Sequence, residues 1–280
     1  MGVQIEASGR RSVQVAIQVP GTADEVWQAI ATGPGLTAWF VPARFEARDG
    51  RPVALTIDFG TGMTSTSTVT AWQPPHSWGA DSAGWVPGSP PISNRWTVEP
   101  EAGRDTPTCT VRITHTLVAD TDAWDSQLLG TEAGWPAFLR TLRLYLTHFR
   151  GQQPALMKWM VPAPGTEAGA WAALSEALAG LKALRVGQRW TAPAGAPPLS
   201  GVVEYVSEAP DDVLLRLDQP GPGVAAFGAV NFGGQSVVAL SVNLYGETAL
   251  DTVAQQIPLW EAWFRVHFPA PPQDATRQTP

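Results

Sequence analysis

The order of predicted elements in the first 150 residues begins again after Gly151, and this internal repeat is the strongest constraint on the fold. In each half, a strand-like segment leads through a turn into a short helix, a series of strands follows, and an amphipathic helix ends the half. Trp171 takes the place in the second short helix that Trp27 has in the first. A repeated element order indicates two copies of one structural unit. We therefore predict domains at residues 1–151 and 152–270, followed by a disordered Pro-rich tail at 271–280.

The first half has the pattern of an antiparallel sheet followed by a helix. Apolar and polar residues alternate from Ser12 to Val19, which is typical of a half-buried strand, and Thr22 and Glu25 have the spacing of a capping box. Further strand-like segments, separated by turn residues, lie at 44–48, 53–59, 65–72, 77–85, 93–99 and 108–116. Apolar residues three and four apart then predict a helix with Trp135, Phe138, Leu139, Leu142, Tyr145, Leu146 and Phe149 on its buried side.

The second half repeats the pattern. Its strand-like segments lie at 155–161, 185–191, 201–207, 213–218, 224–232 and 236–245, and a short helix is predicted at 166–178. A helical stripe of Leu250, Val253, Ile257, Trp260 and Phe264 closes it. Strands followed by a helix in both halves predict an α+β fold.

Composition excludes several classes of protein. The sequence is 44% hydrophobic and only 15% charged, which is typical of a folded globular protein. A net charge of -7, with no basic run longer than Arg10-Arg11, argues against nucleic-acid binding. The single Cys109 cannot form an intramolecular disulfide, so nothing indicates an oxidising compartment.

The sequence shows no segment typical of a membrane span or a signal peptide. No apolar run reaches the roughly 18 to 20 residues that span a bilayer, and the N-terminus lacks the apolar core of a signal peptide. We therefore predict a cytoplasmic protein without membrane insertion. The preference for Arg over Lys, together with many Ala, Gly and Pro residues, indicates a bacterial source with a GC-rich genome.

Motifs for metal binding and catalysis are weak. The four histidines, His76, His115, His148 and His267, show no pairing at i and i+4, and no carboxylates accompany them at ligand spacing. Residues 80–84 miss the first glycine of a nucleophile elbow and lie between two strands. We predict no metal, no cofactor and no catalytic residue.

Several segments of the first half together resemble a known superfamily. They are a strand ending in Val19-Pro20, the helix 24–30, the segment Leu36-Thr37-Ala38-Trp39-Phe40, the strands 96–100 and 110–115, and Gly134-Trp135 at the start of a helix. This set is similar to the START-like superfamily, also called SRPBCC, and specifically to its branch related to the activator of Hsp90 ATPase. The second half looks like a diverged copy without the Trp-Phe and Gly-Trp pairs.

The resemblance implies a tandem helix-grip fold. In this fold a curved antiparallel sheet wraps around a long C-terminal helix, and many members have a cavity between the two. The implied ligand-binding residues of the first half are Trp39, Phe59, Trp72, Trp96, His115, Trp135, Phe138 and Leu142. Core packing is the default role for Trp27, Trp39, Trp96 and Trp135, and pocket lining is the alternative for Trp72, Trp78 and Trp85, which lie where a cavity mouth is common in this fold. His115, on the apolar face of its strand, is either a satisfied core residue or a residue that faces the ligand.

Three functions follow from these observations. The first is binding of a small hydrophobic molecule in the cavity, without catalysis. The second is an enzyme resembling polyketide cyclases or aromatases, with His115 as general acid or base. A perturbed His115 titration beside a second ionisable group would favour this alternative. The third is a protein interaction module resembling the co-chaperone relatives.

Overall fold

A computed structural model of the chain describes residues 2–5, 9–60, 64–83, 90–103, 106–119, 121–208, 211–232 and 234–269. The Cα positions form two compact units, Met1–Gln152 and Gln153–Pro280. The domain boundary predicted after Gly151 lies one residue before this division. Trp85 and the predicted disordered tail at 271–280 lie outside the described residues.

The first unit contains an antiparallel sheet of eight strands. The strands are β1 (Gln4–Ile5), β2 (Arg11–Pro20), β3 (Ala43–Arg48), β4 (Arg51–Asp58), β5 (Thr64–Gln73), β6 (Ser77–Ser82), β7 (Ile92–Pro100) and β8 (Thr108–Leu117). Their spatial order is β1-β2-β8-β7-β6-β5-β4-β3. The strands from β3 to β8 form a meander, and β2 pairs with β8, the last strand in sequence.

Two short helices connect β2 to the meander, and a long helix ends the unit. They are α1 (Ala23–Ile30), α2 (Gly33–Thr37) and α3 (Asp125–Leu144), which continues into a π-helical turn at Tyr145–Phe149. The predicted capping box is present at α1, where the Thr22 backbone N–H donates to Glu25 Oε2 over 2.8 Å and the Glu25 backbone N–H donates to Thr22 Oγ1 over 3.3 Å.

Helix α3 begins ten residues before the predicted apolar stripe. Leu128 in its first turns is fully buried and packs with Val13, Ile92 and Leu117. Arg11 on β2 forms a half-buried ion pair with Asp125, the first residue of the helix. The sequence gives little sign of this part of the helix because it contains Gly130 and Gly134, which weaken both helix propensity and the apolar pattern.

The second unit repeats the topology with a smaller sheet. Its strands are β9 (Pro154–Pro162), β10 (Arg189–Thr191), β11 (Ser200–Glu208), β12 (Asp211–Gln219), β13 (Gly223–Phe232) and β14 (Gln235–Tyr245), in the spatial order β10-β11-β12-β13-β14-β9. Its helices are α4 (Glu167–Ala177) and α5 (Ala249–His267). As in the first unit, the first strand pairs with the last, here β9 with β14.

A single hydrophobic core joins the sheet and helix α5 of the second unit. Trp260, Trp263 and Phe264 of α5 are buried with Met157 of β9 and Leu240 of β14. Both units therefore consist of an antiparallel sheet packed on a C-terminal helix. This arrangement confirms the predicted α+β class and the tandem helix-grip architecture. Among the described residues, no helix is both long and apolar enough to cross a bilayer.

Candidate functional site

A cavity of about 250 Å³ lies between the sheet and helix α3 of the first unit. Most of its walls are apolar or aromatic. The lining residues are Leu36, Phe40, Leu55, Ile57, Phe59, Ser65, Ser67, Trp78, Ala80, Ser82, Asn94, Trp96, Ile113, His115, Thr131, Gly134, Trp135 and Phe138.

Strand alternation places one wall of the cavity on the inner face of the sheet. On β6, the lining residues are Trp78, Ala80 and Ser82, which are two apart and therefore share a face. The strand register sets Trp78 opposite Trp96 and Ala80 opposite Asn94 on β7. Asn94 is in turn opposite His115 on β8, so the side chains of these two residues are neighbours on the inner face.

Helical spacing places the opposite wall on α3. Thr131, Gly134, Trp135 and Phe138 are three and four residues apart, and they form one stripe along the helix. Phe40, which follows α2, closes the wall with aromatic contacts. Its ring centroid is 4.8 Å from that of Phe138, 5.2 Å from that of Trp135 and 6.1 Å from that of Phe59.

His115 is the one ionisable residue among the lining residues in the described part of the chain. It is 3% exposed and stacks on Trp135 with ring centroids 5.4 Å apart. Loss of solvent around the buried ring lowers the pKa of His115 to about 3. The imidazole is therefore neutral at pH 7, and the cavity walls have no formal charge.

The walls also contain a buried hydrogen-bond donor and a buried acceptor that have no partner among the described residues. They are Trp78 Nε1 and Asn94 Oδ1. Trp78 is 2% exposed, and its indole stacks on Trp96 with centroids 5.8 Å apart and an angle of 12° between the rings. An unpaired donor and an unpaired acceptor therefore lie on neighbouring strands of the same wall.

Five of the predicted ligand-binding residues line the cavity: Phe59, Trp96, His115, Trp135 and Phe138. Trp78, for which the sequence left a pocket role open, is also a lining residue. None of these positions is a tested ligand contact, and their binding role stays a prediction.

Three of the predicted residues, Trp39, Trp72 and Leu142, do not line the cavity. Trp39 packs behind Trp96, and its indole N–H donates to the Ala29 carbonyl over 3.0 Å. Trp72 follows a register shift in β5 and packs on Trp27, with ring centroids 5.1 Å apart. Leu142 is fully buried one turn beyond Phe138. Trp39 and Leu142 therefore lie in the core outside the cavity walls, Trp72 is half-buried beside them, and the ligand-binding role of all three stays a prediction.

Several lining residues were not predicted. Phe40 directly follows Trp39. The short helix before them gives no sequence pattern that indicates which of the two rings faces the cavity. Leu55 and Ile57 share a face of β4 in simple alternation, which the sequence could have indicated. The small side chains of Ser65, Ser67 and Ser82 resemble ordinary strand residues, and no sequence signal marks them.

The described residues contain no group of three or more His, Cys, Asp or Glu side chains placed to hold a metal ion. The histidines that the sequence predicted to be unsuited to metal binding are spread over both units.

Comparison with protein families gives one match. Residues 10–141 match the family model described as polyketide cyclase / dehydrase and lipid transport, which is of the SRPBCC type. Residues 10–141 are thus similar to the START-like (SRPBCC) superfamily. The predicted superfamily is thereby confirmed for the part of the chain that contains the cavity. No match was found among the curated proteins.

Solved structures resemble this chain at low identity. The di-domain ARO/CYC protein BexL from the BE-7585A biosynthetic pathway is 15% identical, with a TM-score of 0.45, over 94% of this chain and 100% of its own. DynU16, a protein of the dynemicin biosynthetic locus, is 18% identical, with a TM-score of 0.38, over 92% of this chain and 94% of its own. The Aha1 dimer from Colwellia psychrerythraea is 20% identical, with a TM-score of 0.36, over 50% of this chain and 98% of its own. At these scores, the likenesses carry no information on ligand or activity.

Proposed function

We propose that the first unit binds a small hydrophobic molecule in the cavity between its sheet and helix α3. The observation that carries the proposal is a largely apolar space of about 250 Å³. An engineered apolar cavity of about 150 Å³ takes up benzene, so this space suits a somewhat larger molecule. The lipid transport role in the description of the matching family model is consistent with such a ligand.

The polyketide cyclase alternative lacks support in the site. General acid catalysis at pH 7 needs a group with a pKa near 7, whereas the pKa of His115 is about 3. No second ionisable group accompanies His115 among the described lining residues. The co-chaperone alternative has no observation in its favour, and a cytoplasmic location stays a prediction of the sequence.

Filling the cavity tests the proposal. Ser67 is buried and lines the cavity from β5, so Ser67→Phe should occupy the space with an aromatic ring. We expect the variant to lose binding of naphthalene, measured by titration calorimetry, by at least about tenfold relative to the unmodified protein. Native mass spectrometry of both proteins would then compare the small molecules that co-purify with them.

Thr68→Phe is the matched control because Thr68 is the next residue of β5 and is exposed. Neighbouring strand residues point to opposite faces, so this ring should lie outside the cavity. Equal naphthalene binding by Ser67→Phe and Thr68→Phe, or no binding by the unmodified protein, would overturn the proposal.

A further inference from the structure

We propose that the ligand of the cavity is uncharged and that Trp78 and Asn94 select it by one polar group that both accepts and donates a hydrogen bond. The inference rests on the proposed ligand-binding function and adds the chemical class of the ligand. It follows from the charge of the walls and from the two unpaired atoms.

The walls offer nothing to balance an ionic group. The described lining residues include no Asp, Glu, Lys or Arg, and His115 lies buried against Trp135. Transfer of a carboxylate or an ammonium group into such surroundings is strongly unfavourable without an opposite charge. A lipid with a free carboxylate head group therefore does not fit wholly inside, whereas an alcohol or a phenol does.

Trp78 and Asn94 give the cavity a specific polar position. The indole N–H can only donate a hydrogen bond, and the Asn94 side-chain oxygen can only accept one. Both atoms are buried and have no partner among the residues that the structure describes. Buried polar groups in proteins are nearly always satisfied, so this pair indicates an atom supplied by the ligand.

Strand register brings the two residues close together. Trp78 is opposite Trp96, and Asn94 is two residues before Trp96 on the same strand. Diagonal neighbours of this kind lie about 7 to 8 Å apart in an antiparallel sheet. One hydroxyl group can accept from the indole and donate to the amide oxygen, because both side chains extend from the same face.

Four probes with one ring system test the chemistry: naphthalene, 2-methoxynaphthalene, 2-naphthol and 2-naphthoate. We expect 2-naphthol to bind roughly tenfold more tightly than naphthalene, because it satisfies both buried groups. The methoxy compound accepts a hydrogen bond but cannot donate one, so its affinity should lie between those two. The charged 2-naphthoate should bind at least about a hundredfold more weakly than 2-naphthol. Titration calorimetry of the full chain gives all four constants.

Two variants test the residues. Trp78→Phe removes the indole N–H and keeps an aromatic ring, and Asn94→Leu removes the amide and keeps a similar volume. In each variant, the ratio of 2-naphthol to naphthalene affinity should fall to about threefold or less. Trp72→Phe is the control because Trp72 packs on Trp78, with centroids 6.3 Å apart, without lining the cavity. It should keep the full ratio.

The outcomes separate this inference from the proposed function. Naphthalene binding equal to that of 2-naphthol, or strong binding of 2-naphthoate, would overturn the inference and leave the ligand-binding function intact. An unchanged affinity ratio in both variants would also overturn it. If none of the four probes binds, the proposed function fails and the inference fails with it.

Discussion

The two units share one topology, yet they differ in what occupies the space between sheet and helix. The strand register allows a comparison by position. In the first unit, His115 pairs with Val13, six residues before the Val19-Pro20 end of β2. In the second, Leu244 pairs with Ala155, six residues before the matching Val161-Pro162 end of β9. The buried histidine of the first unit therefore corresponds to a leucine in the second.

The two units also differ on the neighbouring strand, which is β7 in the first unit and β13 in the second. Asn94 is opposite His115, whereas Gly223 is opposite Leu244. A Cβ atom on Gly223 would lie 2.5 Å from the carbonyl oxygen of Asn243 and 2.8 Å from Leu244 Cδ2. The second unit thus has no room for a side chain at the position where the first unit has an unpaired amide.

Large aromatic rings lie on different elements in the two units. In the first, Trp78 and Trp96 are on the inner face of the sheet and border the cavity. In the second, Trp159 of β9 contacts Trp260 and Phe264 of α5, with centroids 6.1 Å and 5.8 Å apart. These rings pack against each other. The two units therefore hold their bulky aromatic residues on different strands and helices.

Truncating one aromatic side chain of the C-terminal helix in each unit should give the largest difference in the free energy of unfolding. Trp260 is fully buried in the second unit, and Trp260→Ala should lower the free energy of unfolding by about 3 to 5 kcal/mol. Phe138 borders an existing cavity and is only half-buried, so Phe138→Ala should lower it by about 1 to 2 kcal/mol. Urea unfolding followed by circular dichroism measures both values. Equal losses would contradict the contrast between a fully buried ring in the second unit and a ring that borders a cavity in the first.

Replacing His115 with the leucine of the second unit should change the pH dependence of stability. The pKa of His115 is lowered to about 3, from 6.5, so the unfolded chain takes up a proton between these values and the folded chain does not. This contribution to stability is complete above pH 6.5 and is lost as pH falls towards 3. Between pH 7 and pH 5, the unmodified protein should lose about 2 kcal/mol more than His115→Leu.

Urea unfolding at the two pH values measures this difference. Carboxylates titrate alike in both proteins, so subtracting the two pH dependences isolates His115. Trp135→Phe provides the control, because it alters the ring stacked on His115 and leaves a titratable residue at 115. Parallel pH dependence in the unmodified protein and His115→Leu would show that the imidazole ionises in the folded state.

The smallest expected difference between the two units concerns the loss of one ion pair in each. Arg11 lowers the pKa of Asp125 at the start of α3, and Arg189 lowers that of Asp218 within the second sheet. Each pair stabilises its unit above the ordinary pKa of the carboxyl group, and this contribution is lost as pH falls through the lowered value. Asp125→Ala should speed amide hydrogen exchange in the first turns of α3 roughly two- to fivefold.

Asp218→Ala is the matched control, because Asp218 of β12 pairs with Arg189 of β10, a strand of the same sheet, and not with a helix. We expect exchange in α5 to be unchanged in this variant. If Asp125→Ala leaves the exchange of α3 unaltered, the ion pair does not help to hold that end of the helix to the sheet.

Period-two alternation and turn residues predicted most strands of both units, whereas β1 was not predicted and the strand expected at 185–191 covers only Arg189–Thr191. Ser12 to Val19 became β2, and the segment at 108–116 became β8, because each buries one face only. The early turns of α3 were missed since their glycines interrupt the apolar stripe. The strand predicted to reach Trp85 ends at Ser82 among the described residues.

The site was less predictable than the fold, because a cavity depends on what side chains leave empty. Trp39 and Trp72 are large and apolar like the true lining residues, and only tertiary packing places them behind the wall. The unpaired atoms of Trp78 and Asn94 depend on register across two strands. Ser67 is buried because of the helix opposite it, and nothing in its local sequence indicates this.

The pairing of the first strand with the last has a consequence for synthesis on the ribosome. Strand β2 leaves the exit tunnel long before its partner β8. Its inward-facing valines therefore stay exposed to solvent while the strands of the meander are synthesised. Strand β9 waits in the same way for β14. The sheet of each unit is completed only when its final strand emerges. Chains arrested before that point would expose an unpaired strand edge to which chaperones could bind.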